Sequence, residues 1–140
     1  MKKPILSIAL CTFFSCVGPA EPDHGFVENL PAIINKSDVF SFSLRAENFN
    51  YNETFPLSLS IPSNKKILST LIITDFSSND SSTFHVLGEN DAVVFDHLIQ
   101  SNKTLTSSKD HTALKNALVH LNNFSGIVNW VVTSLSLIHI

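Results

Sequence analysis

The stretch VFSFSL at residues 39–44 alternates apolar and polar side chains, and this alternation sets the fold class of the chain. Phe40, Phe42 and Leu44 fall on one face of an extended segment. Ser41 and Ser43 fall on the other face. A period of two residues is typical of a strand with one face in the core and one toward solvent. The stretch therefore predicts a half-buried β-strand.

Strand patterns of this kind recur along the chain. LSLSI at 57–61 alternates in the same way, between Pro56 and Pro62, which lack the amide that a central ladder needs. ILSTLIIT at 67–74 is β-branched and more fully apolar, which suits an interior strand. Three more strands are predicted at TFHVL (83–87), AVVFDHLI (92–99) and IVNWVV (127–132), with QSNKTLTSSKD (100–110) as the longest polar connection. Short strands separated by polar turns predict an all-β fold, an antiparallel β-sandwich.

The segment DHTALKNALVHL, residues 110–121, fits two kinds of element. A helix that begins behind an N-cap at Asp110 would align five apolar residues on one stripe: Ala113, Leu114, Ala117, Leu118 and Leu121. A strand would place Ala117, Val119 and Leu121 on one face instead. We favour the strand, because the strand at 127–132 needs a neighbour to pair with. One short helix near 110–121 stays open as the alternative.

The N-terminal stretch MKKPILSIALCTFFSCVGPAEPD has the charged, apolar and small-residue order of a secretory signal peptide. Its apolar run is shorter than the roughly 20 residues of a membrane span, so no transmembrane span is predicted. Two cleavage sites compete. Ala20 before Glu21 fits soluble secretion, whereas Ser15 before Cys16 resembles a bacterial lipobox with bulky Phe13 and Phe14 ahead of it. We favour soluble secretion, and membrane attachment only through an acylated Cys16 is the alternative.

The expected domain organisation follows from these boundaries. Residues 1–20 form the signal peptide and residues 21–34 an extended arm that contains Pro22 and Pro31. Residues 35–134 form a single β-sandwich domain with one hydrophobic core. The last six residues, LSLIHI at 135–140, resemble the translation of a common transposase-derived sequencing adapter. We therefore expect this tail to be non-native and the native sequence to diverge after Ser134.

Charge and cysteine content narrow the function. The chain carries a net charge of −3, so it offers no basic surface for a phosphate backbone, and nucleic acid is not expected as a partner. Cys11 and Cys16 both lie in the export segment. The predicted domain therefore has no disulfide framework and no thiolate metal site.

Five Asn-x-Ser/Thr sequons are spread along the domain. In an exported eukaryotic protein each would be a candidate for glycosylation and would mark the surface. A chain rich in Asn, Ser and Thr also produces sequons by composition alone, so they favour eukaryotic secretion without establishing it. The candidate acceptors are Asn35, Asn52, Asn79, Asn102 and Asn123.

Three segments in order resemble a CUB or CUB-like domain: FPLSLSIPSNKKILSTLIIT, STFHVLGENDAVVF and ALVHLNNFSGIVNWVV. The closing element of that pattern would be Phe124, Gly126 and Trp130. The resemblance implies a jelly-roll sandwich with extracellular binding or defence roles. The chain departs from the family in lacking its disulfide cysteines, in having Leu57 where a tryptophan is usual, and in having Thr83 at the expected calcium-binding aspartate. Cysteine-poor CUB-like domains of secreted nematode proteins are therefore the nearer analogy.

Residues that carry catalysis or bind metals form no recognisable motif. No Gly-x-Ser-x-Gly elbow, His-Glu-x-x-His or phosphate-binding glycine loop occurs, and the domain has no cysteine nucleophile. The six histidines lack ligand spacing: His24, His85, His97, His111, His120 and His139. Asp75, Asp80, Glu89 and Asp91 are predicted to be solvated turn acids rather than cation ligands. Asp96 and His97 would point to opposite faces of a strand, and Trp130 would belong to the core. We therefore predict no enzyme, no cofactor and no metal.

Two hypotheses from different functional classes follow. The first is a secreted, non-enzymatic, CUB-like interaction module that recognises an extracellular protein or glycan through its loops. The second is a bacterial envelope lipoprotein that is anchored through Cys16 and has a structural or assembly role. The fate of Cys16 distinguishes them, since it leaves with the signal peptide in the first and becomes the N-terminal anchor in the second.

Overall fold

The computed structural model describes residues 27–135. The predicted signal peptide with Cys11 and Cys16, His24 in the arm, and residues 136–140 of the tail lie outside the described residues. Within 27–135 there are seven β-strands, and a 3-10 turn at Glu89–Asp91 is the only helical element. The strands are β1 (Ala32–Asn35), β2 (Val39–Pro56), β3 (Lys66–Thr74), β4 (Ser82–Gly88), β5 (Val93–Ile99), β6 (Lys103–Lys109) and β7 (Leu114–Leu135).

All neighbouring strands pair antiparallel, and the two longest strands each serve two layers. The first layer has the order β1-β2-β7-β3-β6, in which residues 39–46 of β2 pair with residues 126–133 of β7. The second layer contains the other halves of β2 and β7, followed by β4 and β5. Because both long strands cross between layers, the sheet folds over on itself.

Aromatic contacts show that the two layers face each other. The ring of Phe84 in β4 lies 4.9 Å from that of Trp130 in β7 and 5.7 Å from that of Phe42 in β2, measured between ring centroids. All three side chains are fully buried. Such ring pairs are worth about 0.5–1.5 kcal/mol beyond the area they bury. The prediction of an all-β antiparallel sandwich is confirmed, as is the placement of Trp130 in the core.

The strands change layer at a pair of bends. The register of β2 shifts on both sides of Phe49, and its partner β7 bends around Asn123 and Gly126. Gly126 has φ 150°, and a Cβ there would lie 3.0 Å from the carbonyl oxygen of Thr74 and 3.3 Å from Cα of Phe76. Bulges of this kind bend a strand and increase its twist. Glycine at 126 is therefore required both by its backbone angle and by the close approach of the chain after β3.

Two sequence predictions of local structure are wrong. LSLSI at 57–61 is not a strand: the amide of Leu57 donates to Lys115 O at 2.9 Å and that of Ser58 to Asn35 Oδ1 at 2.9 Å, outside any ladder. The alternating pattern of this segment reflects burial and not strand pairing, because Leu59 and Ile61 are buried although the segment is not a strand. QSNKTLTSSKD is not only a connection, because β6 lies within it as a polar edge strand beside β3.

The remaining local predictions have clear outcomes. Residues 114–121 belong to β7, so the strand was the right choice and the helix alternative is excluded. Strands are confirmed at 39–44, 67–74, 83–87 and 127–132, and the strand predicted at 92–99 begins one residue later at Val93. β1 begins at Ala32, inside the stretch predicted as an extended arm, and β7 continues to Leu135 beside Lys66.

We expect Gly126→Ala to lower the free energy of unfolding by about 2 kcal/mol or more, because a Cβ meets backbone at an angle that alanine rarely adopts. Urea denaturation followed by Trp130 fluorescence measures this. Thr104→Ala, on the exposed face of β6, is the matched control and should change the stability by less than about 0.5 kcal/mol. Equal stability of the two variants would show that the bend tolerates a side chain.

Candidate binding groove at the strand bends

A groove of about 410 Å³ lies at the end of the first layer, where β2 and β7 bend. Its floor includes Ala46 and Gly126, which pair across the two strands. The walls are mainly polar and come from the segment before β1, from β2, from β7 and from the loop after β3. The polar side chains that matter most are Glu28, Arg45, Glu47, Asn48, Asp75 and Ser125.

Asn29 holds one wall of the groove in place. Its amide donates to Arg45 O at 2.8 Å, and its side-chain Oδ1 accepts from the amide of Glu47 at 2.9 Å. Asn29 has φ 60°, a left-handed angle that asparagine tolerates better than most residues. These two hydrogen bonds fix the segment that carries Glu28 against β2.

Ser125 ties the opposite wall to the rest of the site. Its Oγ accepts from the amide of Asn48 at 2.9 Å, and its own amide donates to Ser78 Oγ at 2.7 Å. Its carbonyl accepts from the amide of Ser77 at 3.1 Å. One serine thus joins the β2 bend, the β7 bend and the loop between β3 and β4, so the walls of the groove are held relative to one another.

Unusual backbone angles are concentrated at this groove. Asn48 and Asp75 have φ of 50° and 54°, and Gly126 has φ 150°. At Asn48 and Asp75, which carry a Cβ, such conformations cost of order 1–3 kcal/mol each and persist only where the surrounding structure enforces them, whereas glycine adopts a positive φ without this cost. Residues of this kind cluster at binding sites, and here three of them line one cavity.

The chemistry of the walls suits a polar ligand. Glu28, Glu47 and Asp75 supply carboxylates that accept hydrogen bonds, and Arg45 supplies a guanidinium that donates them. The Ser125 hydroxyl and the Asn48 amide can do both. Hydroxyl and amine groups of a ligand would therefore find acceptors, and carboxylates would find donors.

The five predicted glycan acceptors differ in solvent exposure. Asn52, Asn79, Asn102 and Asn123 are exposed. Asn35 is half-buried, and both polar atoms of its side chain are used: Nδ2 donates to Pro56 O at 2.7 Å and Oδ1 accepts from the amide of Ser58 at 2.9 Å. Folding therefore leaves Asn35 the least accessible of the five.

The loop acids do not gather into one cluster. Asp75 lines the groove, whereas Asp80 accepts from Asn123 Nδ2 at 2.9 Å. Asp91 lies 3.2 Å from Lys115 Nζ near the start of β7, and Glu89 is exposed in the 3-10 turn. In the part of the chain that is described, no three His, Cys, Asp or Glu side chains are arranged to hold a metal ion.

A buried polar chain that the sequence patterns do not predict joins the two layers. Trp130 Nε1 donates to Ser69 Oγ at 2.9 Å, and this hydroxyl lies 3.0 Å from His97 Nε2. Ser69 is fully buried and His97 is 3% exposed. The burial of both polar residues could have been predicted from the sequence. A period of two residues places Ser69 on the same face as Ile67 and Leu71. It also places His97 on the same face as Phe95 and Ile99.

His97 is only half satisfied in this core. Its Nδ1 is buried and has no hydrogen-bond partner among the described residues. Burial lowers the pKa of His97 below its ordinary value, and the charge of Lys103 lowers it further, while Asp96 acts in the opposite direction. Asp96 itself is exposed beside His85, 3.2 Å from its Nδ1, which confirms that Asp96 and His97 point to opposite faces.

Comparison with known proteins identifies no family. No family model and no curated protein matches the chain. Among solved structures, a protein of Bacillus endospore appendages, which form disulfide-linked pili, is 9% identical with a TM-score of 0.42 and covers 85% of this chain and 99% of its own.

Two further solved structures show similarity of the same order. A CBM4 structure is 13% identical with a TM-score of 0.37, over 70% of this chain and 80% of its own. An RmlC-like cupin protein from Desulfovibrio desulfuricans is 9% identical with a TM-score of 0.36, over 83% and 96%. At these scores the assignment of the fold rests on the strand registers described above. In the described range, no helix has the length and apolar character to cross a membrane.

The lowered pKa of His97 makes the stability of the fold dependent on pH. Between the folded pKa and the unfolded value of about 6.5, the unfolded state binds more protons, so stability rises with pH. We expect the free energy of unfolding to be constant above about pH 7.5 and to fall by up to about 1.4 kcal/mol per pH unit below about 6.5. Urea titrations at several pH values measure this.

His97→Gln is the comparison for that experiment, because it keeps a polar side chain and removes the titrating ring. Its stability should depend less on pH between 7 and 5 than that of the wild type. Identical pH profiles for the two proteins would show that His97 is not the source of the pH dependence.

Proposed function

We propose that this chain is an extracellular, non-enzymatic binding module, of the kind that CUB-like domains represent, and that the groove at the strand bends recognises a protein or glycan partner. The observation that carries the proposal is the groove itself. It combines polar side chains of both charge signs with backbone held by the Asn29 and Ser125 hydrogen bonds. A preorganised polar cavity loses little entropy on binding, which favours recognition.

The position of the Ser69–His97 hydrogen bond supports a non-enzymatic role. Both side chains lie in the core between the layers, where a substrate has no access. The Ser69 hydroxyl also accepts the indole N–H of Trp130, so one of its lone pairs is already used. This pair stabilises the sandwich and is unsuited to nucleophilic catalysis.

The first test measures binding by the groove. The full chain is labelled and screened against a glycan array and a panel of extracellular proteins. The double variant Glu28→Gln/Glu47→Gln should bind the ligand found at least about tenfold more weakly, because charge-assisted hydrogen bonds contribute about 1.5–3 kcal/mol each. Neither change creates a new sequon.

Glu89→Gln is the matched control, since this carboxylate is exposed in the 3-10 turn and lies outside the groove. It should bind as the wild type does. Equal binding by the double variant, or the same loss in the control, would place recognition elsewhere on the surface.

The second test concerns export. We expect the full chain expressed in eukaryotic secretory cells to appear in the medium with Glu21 at its N-terminus and with glycans removable by a peptide N-glycosidase. Mass spectrometry of the intact protein reads both properties. Cys16→Ser should be secreted identically, because Cys16 leaves with the signal peptide.

The bacterial lipoprotein is the competing proposal, and the Ser15-Cys16 pair in the export segment is the feature that favours it. In that case, expression in a bacterial host should yield a membrane-bound, acylated protein whose N-terminus is Cys16. Cys16→Ser would then abolish both the acylation and the membrane association, and the secretion proposal would be wrong.

A further inference from the structure

The outer face of the first layer, on the side away from the core, is built from uncharged side chains. The strand registers align its central row across five strands: Ile34, Ser41, Val131, Thr70 and Thr106. Neighbours of these residues along each strand, such as Phe40 and Leu71, point into the core, so the row itself points outward. We call this surface the hydroxyl face.

Two more rows extend the hydroxyl face without introducing a charge. One row contains Ala32, Ser43, Asn129, Ile72 and Thr104, and the other contains Val39, Thr133, Leu68 and Ser108. Charged residues lie only at its rim, with Lys36 opposite Val39 at one corner and with Arg45 and Lys66 beyond the two ends. The outer face of the second layer differs, since it carries His85 and Asp96 as a pair and His120 nearby.

The absence of charge is unusual for a solvent-facing sheet. The chain contains nine basic and twelve acidic residues, yet the only one that continues these three rows is Lys36, at the corner beside Val39. Ile34 and Ile72 are 46% and 36% exposed on the same surface. Depletion of charged side chains is the compositional mark of an interface core rather than of free surface.

The sequons also avoid the hydroxyl face. Asn52 lies on the second layer opposite His120, Asn79 and Asn102 lie in turns, and Asn123 lies at the β7 bend. Asn35 pairs with Phe40 in a row that faces the core. A glycan at Asn102 would stand at the edge of the hydroxyl face, one row beyond Thr104, whereas glycans at the other four positions would lie outside the face.

We propose that the hydroxyl face docks against the same face of a second copy of this chain, about a two-fold axis. Hydroxyl groups both donate and accept hydrogen bonds, so a Ser/Thr surface is complementary to itself, whereas a charged surface is not. A contact centred on Val131 and Thr70 leaves Lys36, Arg45 and Lys66 at its rim, so no charge is buried in the middle of the contact. Two twisted sheets stack about 10 Å apart at about 30°, as within a sandwich.

The size of the face sets the strength of this contact. Five strands about 4.8 Å apart and three rows about 6.6 Å apart cover on the order of 450 Å² per copy. A standard stable interface buries about 800 Å² per partner. The hydroxyl face also lacks the Trp, Tyr and Arg anchors of tight interfaces. The dimer is therefore reversible and forms in the micromolar to millimolar range.

The lack of aromatic side chains on the hydroxyl face also distinguishes between two possible partners, a polysaccharide and a second copy of the chain. A flat polysaccharide is usually held by stacking of its sugar rings on aromatic side chains, and none of the three rows contains one. A second sheet of small side chains needs no such platform. The face therefore favours the second copy over an insoluble glycan.

Sedimentation equilibrium of the full chain over a wide concentration range tests the proposal. The wild type should show a monomer–dimer equilibrium. Thr70→Lys, in the centre of the face, and Thr106→Glu, on its exposed edge strand, should each weaken the dimer by about tenfold or more, because each buries an unpaired charge. Thr83→Lys is the matched control, since it makes the same change at a half-exposed position on the outer face of the second layer and leaves every sequon intact.

Circular dichroism and thermal unfolding show that each variant is folded. If Thr70→Lys does not fold, Thr106→Glu on the edge strand decides the outcome. A wild type that stays monomeric throughout, higher oligomers without a dimer, or a dimer weakened equally by Thr83→Lys would each overturn the proposal. A monomer that instead sediments with insoluble cellulose or chitin, and loses that property in Thr70→Lys, would also overturn it and assign the face to a polysaccharide.

Discussion

The sandwich depends on the paired bend of its two longest strands. β2 and β7 run side by side through both layers, so neither can change direction without the other. Ala46 opposite Gly126 is the point where the first layer ends, and the chain after β3 approaches the backbone of Gly126 too closely for any side chain. The contact of Phe84 with Trp130 then closes the two layers over one core. Loss of the bend would separate the halves of both strands from the layers that they complete.

Alternation in the sequence predicts burial more reliably than it predicts pairing. VFSFSL and LSLSI have the same pattern, and both place their apolar residues inside, but only the first belongs to a ladder. The amides of the second bond instead to Asn35 Oδ1 and to isolated carbonyls. β6 shows the opposite case, a strand without an alternating pattern. It is an edge strand that is exposed along most of its length, so it needs no alternation of apolar residues, and the sequence did not predict it.

The groove could not be predicted because its parts are distant in sequence. Glu28, Glu47, Asp75 and Ser125 meet only when the two bends have formed, and no local motif connects them. The sequence predicts Asp75 to be a solvated acid in a turn. This places it correctly in a loop but does not predict that it lines a groove with residues of β2 and β7. Ser69 and His97 were within reach of prediction, since a polar residue on the apolar face of a strand must find a partner in the core.

Stability and recognition share the same region but use different groups. The aromatic core and the Trp130–Ser69–His97 chain hold the layers together without contributing to the groove. The groove contributes side chains that point away from the core, so carboxylates and amides there can change without opening a cavity inside. Gly126 is the exception, because it forms the floor of the groove and also permits the bend. The positive φ angle at Asn48 follows from the same geometry, because the bend of β2 leaves this residue in a conformation that the hydrogen bond from its amide to Ser125 Oγ helps to hold. A polar cavity with fixed walls is therefore a direct consequence of how this sandwich closes.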